Sequence, residues 1–301
     1  MIKQGEIQQK AREVGVRDQQ IEKDYILSWI LEGVAQHEQL SKTIVFKGGT
    51  VLKKIYFEDY RFSEDLDFTL LNNGASTLRQ TLGGAGSVET TNEQMFAWFK
   101  ETFDYILEEA NIRLEIIDPD FHGDKNEPAS GKVSADKPDS ESRGGINFYI
   151  SYVGPLGGQG NNKKVKVDIS RNEKLEFKPV MKTVLPGYSD LTEHQLLCYP
   201  LEEILVEKMR TVMQRMQARD FYDIWYLLER HGMNVNFYVK EFANKCSTKK
   251  LNPTDFQKKL AERLPQYKGR WESSMNEQIH DLPDFDKVER EVQRHLKKLK
   301  L

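Results

Sequence analysis

The stretch of sequence that decides the fold is residues 46–68, FKGGTVLKKIYFEDYRFSEDLDF. Its glycine pair follows a short apolar strand predicted at residues 43–46 and opens a predicted helix at residues 51–56. A second apolar strand, predicted at residues 66–70, starts within the aspartate pair near the end of the stretch. The order strand, glycine turn, helix, strand therefore predicts that a tight turn and two carboxylates lie near each other.

These residues have the character of a phosphate site beside a metal site. A turn formed by Gly48, Gly49 and Thr50 at a helix N-terminus would point backbone N–H groups and the positive end of the helix dipole at an anion. Asp65 and Asp67 would project from one face of a strand, where they could hold Mg²⁺ and, through it, phosphates. An Asp-x-Asp alone could equally be a turn cap and a solvated strand-edge carboxylate. The glycine turn before it favours nucleotidyl transfer as the hypothesis.

Composition describes a polar globular chain. The protein has 301 residues, of which 38% are hydrophobic and 30% charged, and its mean hydropathy is -0.65. No apolar run approaches the roughly 20 residues of a membrane-spanning helix, and the first residues lack the apolar core of a signal peptide. We therefore expect a cytoplasmic protein that does not enter a membrane.

Metal-binding cysteine or histidine motifs are not evident. Cys198 and Cys246 are far apart, which is typical of two reduced thiols. The histidines form no pair at helical ligand spacing, so a zinc site is not expected. The net charge of -3 indicates that any RNA contact would be local.

The rest of the chain divides into two regions. Helical patterns at residues 5–38 and 93–110 alternate with strand patterns at 112–117, 146–153 and 164–169, and from residue 200 onward the patterns are helical, with helices expected to about residue 217 and at 220–230. This predicts an α+β fold with an N-terminal domain at 1–190, including the first helices, and a helical domain at 191–301. The polar segments 72–92 and 119–145 are predicted loops without an assigned role.

A third acidic residue lies in a predicted strand. Val165, Val167 and Ile169 share one face, which places Asp168 on the other face. Aspartate is disfavoured in strands, so its position favours a third metal ligand facing Asp65 and Asp67. An exposed edge-strand residue is the alternative.

Polar residues in the helical region are less distinctive. Lys208 lies mid-helix, where a lysine is normally solvated. Asp220 and Asp223 follow Arg219 in a first helical turn, where acidic residues favour the helix dipole, and this is a sufficient structural explanation by itself. A set of basic residues could meet an RNA acceptor or form a solvated face: Lys163, Lys164, Lys166, Arg210, Arg215 and Arg219.

Taken together, the motifs resemble the AbiEii/AbiGii toxin family, nucleotidyltransferase-like toxins of abortive-infection and toxin–antitoxin systems related to the MenT toxins. The resemblance runs from Glu22-Lys23-Asp24-Tyr25 to about Leu228 and is carried by Lys47-Gly48-Gly49-Thr50, Arg61-Phe62-Ser63-Glu64-Asp65-Leu66-Asp67, Lys166-Val167-Asp168-Ile169, Glu207-Lys208 and Arg219-Asp220-x-x-Asp223. It implies a polymerase-β-like nucleotidyltransferase domain, with a mixed sheet flanked by helices, followed by a helical domain. The Gly-Thr pair and the longer gap before Asp-x-Asp depart from general nucleotidyltransferases, which carry Gly-Ser.

The resemblance also implies roles for individual residues. Asp65, Asp67 and Asp168 would bind Mg²⁺, and with Lys208, Asp220 and Asp223 they would form the catalytic set. The nucleotide-binding set would be Lys47, Gly48, Gly49, Thr50, Arg61, Ser63 and Lys208.

We expect transfer of a nucleoside monophosphate from an NTP to an RNA end, with tRNA as the leading acceptor, or to a protein hydroxyl. The acceptor hydroxyl would attack the α-phosphate and expel pyrophosphate. The alternative is a non-catalytic toxin that binds GTP or another nucleotide and acts by sequestration or through a partner. A purely structural interaction module would leave the spacing of the motifs unexplained. A cognate antitoxin partner is implied by the family alone.

Overall fold

The computed structural model describes residues 1–71, 90–117, 145–158, 163–297 and 299–300. Most of the two polar segments predicted as loops, 72–92 and 119–145, lies outside the described residues.

A mixed seven-stranded sheet forms the centre of the fold, in the order β3-β4-β5-β2-β1-β7-β6. Strand β1 pairs antiparallel to β2 and parallel to β7, and β2 pairs parallel to β5. The strands are β1 (Ile44–Lys47), β2 (Asp65–Leu70), β3 (Arg113–Ile117), β4 (Ile146–Val153), β5 (Lys164–Ser170), β6 (Val180–Thr183) and β7 (Gln195–Cys198). The α+β class expected from the sequence is confirmed.

The helices lie before, between and after the strands. They are α1 (Gln4–Val14), α2 (Asp18–Gln36), α3 (Glu38–Thr43), α4 (Gly49–Val51), α5 (Asn92–Ala110), α6 (Leu201–Val212), α7 (Ala218–Trp225), α8 (Val239–Thr248), α9 (Phe256–Met275) and α10 (Phe285–Leu296). Helices α4 and α7 continue as π-helical turns, Leu52–Tyr56 and Tyr226–Arg230. The C-terminal region is helical, as predicted, and no helix in the described residues is both long and apolar enough to span a membrane.

Register places polar residues in a line across four neighbouring strands. The Cα partners are Lys47 with Asp67, Asp67 with Asp168, and Asp168 with Asn147. Because side chains alternate along a strand, these residues share one face of the sheet. Their chain neighbours Phe46, Phe68, Val167 and Phe148 are buried on the other face.

The two faces of the sheet have different cover. Phe96 and Phe99 of α5 pack edge-on against Phe148, which closes the apolar face of the β4 side. On the polar face, residues on or beside the C-terminal helices lie over the β1–β2 part: Thr69 hydrogen-bonds Tyr199, and Arg219 reaches Asp65. Carboxylates and basic side chains therefore meet at the edge of that cover.

Two helical segments differ from the sequence-based prediction. The helical segment expected at 5–38 is divided, because α1 ends at Val14 and the C-cap residue Gly15 has a φ of 69°, the left-handed conformation typical of a helix C-cap. The helix expected to reach residue 217 ends at Val212, and the turn that follows brings Arg215 to Asp220.

Two short strands, β6 and β7, were not predicted at all. Each has only four residues, too few for a clear period-two pattern. Strand β7 pairs with β1, so the sheet extends to Cys198, past residue 190. The domain division at 190 stays a prediction.

The charged run in α2 anchors the N-terminal helices to the rest of the molecule. Glu22 accepts a hydrogen bond from the backbone N–H of Leu156 (2.8 Å) and pairs with Lys163. Asp24 pairs with Lys54 (2.7 Å) and accepts a hydrogen bond from Tyr188. The charges that interrupt the apolar pattern of this helix therefore bind partners rather than solvent.

We predict that Asp24→Ala strongly destabilises the protein, because it leaves the buried ammonium of Lys54 without its carboxylate partner. Removing one member of a buried ion pair costs about 3–5 kcal/mol. Urea unfolding measures the loss. Glu38→Ala, which breaks the exposed Glu38–Lys42 pair, is the control and should change stability little. Equal losses in the two variants would contradict this role of Asp24.

Candidate active site

The glycine turn fits closely against an aspartate of β2. Gly48 has φ 83° and ψ -166°, a conformation open essentially to glycine. A Cβ added to Gly48 would lie 2.4 Å from Asp67 Oδ2, and one added to Gly49 would lie 2.5 Å from Arg61 Nη2. Both glycines therefore permit close approach of the backbone to charged side chains.

Thr50 holds the turn against β2. Its buried hydroxyl donates a hydrogen bond to the backbone carbonyl of Asp65 (2.5 Å). The contact fixes the distance between the turn and the strand that carries Asp65 and Asp67. That Gly48, Gly49 and Thr50 hold a triphosphate stays a prediction.

Asp65, Asp67 and Asp168 come together on the polar face of the sheet, and we call them the carboxylate row. Asp67 and Asp168 are Cα partners on adjacent strands, and Asp65 precedes Asp67 on the same face. Burial, the largest cause, and the negative charges of Asp168 and Asp65 together raise the pKa of Asp67 to about 6, against the opposing effects of Lys47 and Lys208. An added cation would relieve this repulsion.

Basic side chains pair with two members of the carboxylate row. Lys166 Nζ lies 2.5 Å from Asp168 Oδ2, and Arg219 Nη1 lies 3.5 Å from Asp65 Oδ2. In the described part of the chain, no three His, Cys, Asp or Glu side chains are arranged as a ready metal cluster. The side chains of Lys166 and Arg219 are 40% and 30% exposed, so both have room to turn away from the carboxylates.

The donor set nevertheless suits a hard divalent cation. Three carboxylates on neighbouring strands offer the oxygen ligands that Mg²⁺ prefers, and the close approach of Gly48 to Asp67 leaves no side chain between the turn and that carboxylate. Lys47 borders the row, where its Nζ donates to Ser170 Oγ (2.9 Å) and lies 3.9 Å from Glu207.

Behind the glycine turn is a second charge system, which we call the buried ion cluster. Arg61, Lys208, Asp220 and Asp223 are buried, and Arg215 joins them from the surface with a side chain that is 51% exposed. Lys208 Nζ lies 2.7 Å from Asp220 Oδ1 and 2.6 Å from Asp223 Oδ2. Arg61 binds Asp223 with two N–H groups, at 2.7 and 2.8 Å, and Arg215 Nε donates to Asp220 at 2.8 Å. Each carboxylate thus binds two cations.

The cluster changes the interpretation of its members. The Lys208 side chain is 8% exposed and those of both aspartates are 0% exposed, so Lys208 is not the solvated helical lysine expected from position alone. Burial acts to raise the pKa of Asp220, but Lys208 and Arg215 outweigh it and hold the pKa well below the usual range. Asp220 and Asp223 therefore position basic side chains, which goes beyond an interaction with the helix dipole.

Some contacts of the cluster were missed by sequence reasoning. Tyr60 donates its hydroxyl to Asp223 Oδ1 (2.6 Å), and Arg61 Nη1 donates to Gln278 Oε1 (2.9 Å). Tyr60 directly precedes Arg61 in sequence, and this position beside a motif residue is a signal for its role. No local sequence pattern identifies Gln278 as a partner of Arg61. Ser63 lies between Arg61 and Asp65 in sequence, and its side chain is buried. Its expected contact with the nucleotide stays a prediction.

The six basic residues considered for an RNA acceptor do not act as one surface. Lys163 pairs with Glu22, Arg215 with Asp220, and the buried Arg210 contacts Gln214. These three have structural partners, and whether the basic set meets an RNA acceptor stays a prediction. Lys164, Lys166 and Arg219 lie on or beside the carboxylate row and the open part of the sheet.

We predict that the buried ion cluster makes folding stability sensitive to acid. Because the pKa of Asp220 is lowered in the folded state, the stabilisation it gives is present above the ordinary pKa of about 4 and is lost as pH falls through the folded value. Asp220→Asn should be less stable than wild type at neutral pH and should lose less of its stability on further acidification. Urea unfolding across a pH series tests this, and equal pH dependence in the two proteins would contradict it.

Comparison with known proteins gives a family match and a fold match. No curated protein matches the chain. Among solved structures, the MenT4 nucleotidyltransferase toxin of Mycobacterium tuberculosis H37Rv is 14% identical, with a TM-score of 0.65 over 100% of this chain and 91% of that one. JHP933 of Helicobacter pylori is 16% identical, with a TM-score of 0.50 over 94% of each chain.

At these identities the solved structures establish similarity of fold. The family evidence is independent of them: the model described as "Nucleotidyl transferase AbiEii toxin, Type IV TA system" matches residues 29–291. This range includes the glycine turn, the carboxylate row and the buried ion cluster. The chain belongs to the AbiEii nucleotidyltransferase toxin family of type IV toxin–antitoxin systems.

Proposed function

We propose that the protein is an Mg²⁺-dependent enzyme that transfers a nucleoside monophosphate from an NTP to the end of an RNA, with tRNA as the leading acceptor. The observation that carries the proposal is the contact between the glycine turn and the carboxylate row, where Gly48 leaves no room for a Cβ beside Asp67. Family membership supports nucleotidyl transfer as the reaction class.

The donor nucleotide is assigned to the β1 side of the row. The backbone of Gly48, Gly49 and Thr50 would bind the triphosphate at the start of α4. Behind the turn, the buried ion cluster contains three cations and two carboxylates, so one positive charge is in excess. That excess favours phosphate at this end of the row, and it suggests that Lys208 and Arg61 act on the nucleotide from fixed positions.

Asp65, Asp67 and Asp168 would hold Mg²⁺, which would neutralise charge on the phosphates when bound. Lys166 and Arg219, which now pair with two of these carboxylates, would be released toward phosphate oxygens. The raised pKa of Asp67 is consistent with a site in which carboxylates are held close together for a cation.

In the proposed reaction, a bond forms between the acceptor hydroxyl oxygen and the α-phosphorus of the NTP. The bond from the α-phosphorus to the oxygen that bridges to the β-phosphorus breaks, pyrophosphate leaves, and the hydroxyl proton is lost to water. The chain's own residues orient the triphosphate and fix the charges around it.

A second candidate function is nucleotide binding without transfer, for example sequestration of GTP. The observation in its favour is that Lys166 and Arg219 already satisfy Asp168 and Asp65. A protein hydroxyl is an alternative acceptor for the catalytic proposal. A cognate antitoxin is proposed as a partner on the basis of the family alone.

We predict that Asp65→Ala and Asp67→Ala each abolish transfer of label from α-³²P-NTPs. The reason is that each change removes an oxygen ligand from the row. Each of the four labelled NTPs is incubated with total RNA and with the protein alone, and the labelled product is identified. Circular dichroism and urea unfolding confirm that the variants fold.

The control for these variants is Asp281→Ala, which removes an aspartate whose side chain is 98% exposed. It should transfer label at the wild-type rate. Undiminished transfer in a folded Asp65 or Asp67 variant would overturn the assignment. NTP binding without release of pyrophosphate in the wild-type protein would favour sequestration instead.

We predict that Gly48→Ala also abolishes transfer, because the new methyl group must displace Asp67 and because alanine is strained at this backbone conformation. The strain costs about 1–3 kcal/mol. Gly232→Ala is the matched control: Gly232 has φ +78° and no atom within 4 Å of an added Cβ. It should be destabilised by backbone strain yet retain transfer. Full activity in Gly48→Ala would contradict the proposed role of the turn.

A further inference from the structure

The polar face of β4 and β5 continues beyond the carboxylate row as an exposed surface. Asn147, Tyr149 and Ser151 alternate with the buried Phe148 and Ile150 along β4. On β5, Lys164 and Lys166 lie on the same polar face as Asp168. We call Asn147, Tyr149, Lys164 and Lys166 the open-face platform.

The platform combines an aromatic ring with two ammonium groups. Lys164 Nζ lies 4.4 Å from the centre of the Tyr149 ring, and Tyr149 and Lys166 are Cα partners across the two strands. Lys164 is exposed and Tyr149 is half-buried, so an incoming planar group could displace the lysine from the ring. An exposed Arg113 on β3 adds a cation on this face, and Glu115 adds one acidic group.

The platform lies on one side of the carboxylate row and the glycine turn lies on the other. Along the row, Lys47 and the turn are at the β1 end, Asp67 is in the middle, and Asp168 and Asn147 follow on β5 and β4. If the triphosphate occupies the β1 side, the molecule that attacks its α-phosphate must come from the other side. That side is the open-face platform.

We infer that the open-face platform binds the single-stranded end of the RNA acceptor, with a base stacked on Tyr149 and backbone phosphates at Lys164 and Lys166. The inference rests on the proposed function for the direction of approach. It rests on charge and ring chemistry for the class of ligand.

Single-stranded RNA is the ligand that this chemistry favours. Every base has a π-face, so stacking on an aromatic ring accepts any sequence, and neighbouring cations follow the phosphates. In a duplex the bases are stacked on each other and are not available to a ring on a flat sheet. A peptide acceptor would have no general need for two lysines beside the ring.

Binding of a short fluorescein-labelled single-stranded RNA, measured by fluorescence anisotropy in EDTA, tests the inference without catalysis. Tyr149→Leu should weaken binding about tenfold, as expected for loss of one stacked base, and Tyr149→Phe should bind like wild type. Lys164→Ala should reduce the magnitude of the slope of log affinity against log salt concentration by about 1, the value expected for loss of one phosphate contact. A blunt RNA duplex should bind more weakly than the single strand and should be insensitive to Tyr149→Leu.

Two matched variants serve as controls. Phe237→Leu removes an aromatic ring that is 74% exposed outside the platform. Lys182→Ala removes an exposed lysine whose Nζ lies 5.9 Å from the Tyr56 ring, on β6 at the opposite edge of the sheet. Both should bind the single-stranded RNA like wild type.

The outcomes separate the platform from the chemistry. Unchanged RNA affinity in Tyr149→Leu, or an equal loss in Phe237→Leu, would overturn the inference even if wild-type protein transfers nucleotides. The inference would also be overturned, in favour of a peptide acceptor, if label were transferred to a protein and Tyr149→Leu abolished that transfer without changing RNA affinity. Tyr149-dependent RNA binding by a protein that transfers no nucleotide would support the platform while the proposed reaction fails.

Discussion

The register of β1, β2 and β5 is the constraint on which the candidate site depends. It aligns Lys47, Asp67 and Asp168 across three strands, and it is maintained by Leu66, Phe68, Val167 and Ile169 on the buried face. A slip of one residue would turn the carboxylates into the core and the apolar side chains into solvent. The hydrophobic core therefore determines where the charges lie, and Gly48 allows the turn to approach them.

Two charge systems with different surroundings meet at this point. Around the carboxylate row, the partners Lys166 and Arg219 are partly exposed and could exchange places with a metal ion and phosphates. In the buried ion cluster, Lys208 and Arg61 are fixed by Asp220 and Asp223, which are fully buried. Buried pairs of this kind are expensive to desolvate, so they contribute more to the positions of side chains than to net stability. One adaptable system beside one rigid system suits a site that must bind a substrate and still keep its geometry.

Much of this arrangement was predictable from sequence where the signal is local. The face shared by Asp65 and Asp67 and the face on which Asp168 lies follow from the periodicity of strands, and the register agrees with them. The glycine turn follows from the glycine pair itself, and the roles of all these residues stay predictions. The burial of Lys208 could not be predicted, because it depends on the turn after α6 that brings Asp220 and Asp223 back to the same helix. Gln278 reaches Arg61 from a distant part of the chain, and β6 and β7 are too short to leave a pattern. Long-range contacts and short strands account for most of what sequence reasoning missed.

The central claim is that the carboxylate row holds a divalent cation beside a nucleotide bound at the glycine turn. Anomalous X-ray diffraction from crystals that contain Mn²⁺ and a non-hydrolysable NTP analogue tests it most directly. We expect an anomalous peak bounded by Asp65, Asp67 and Asp168, with the triphosphate against Gly48 and Gly49. A nucleotide bound elsewhere, or Mn²⁺ that avoids these three carboxylates, would contradict the account.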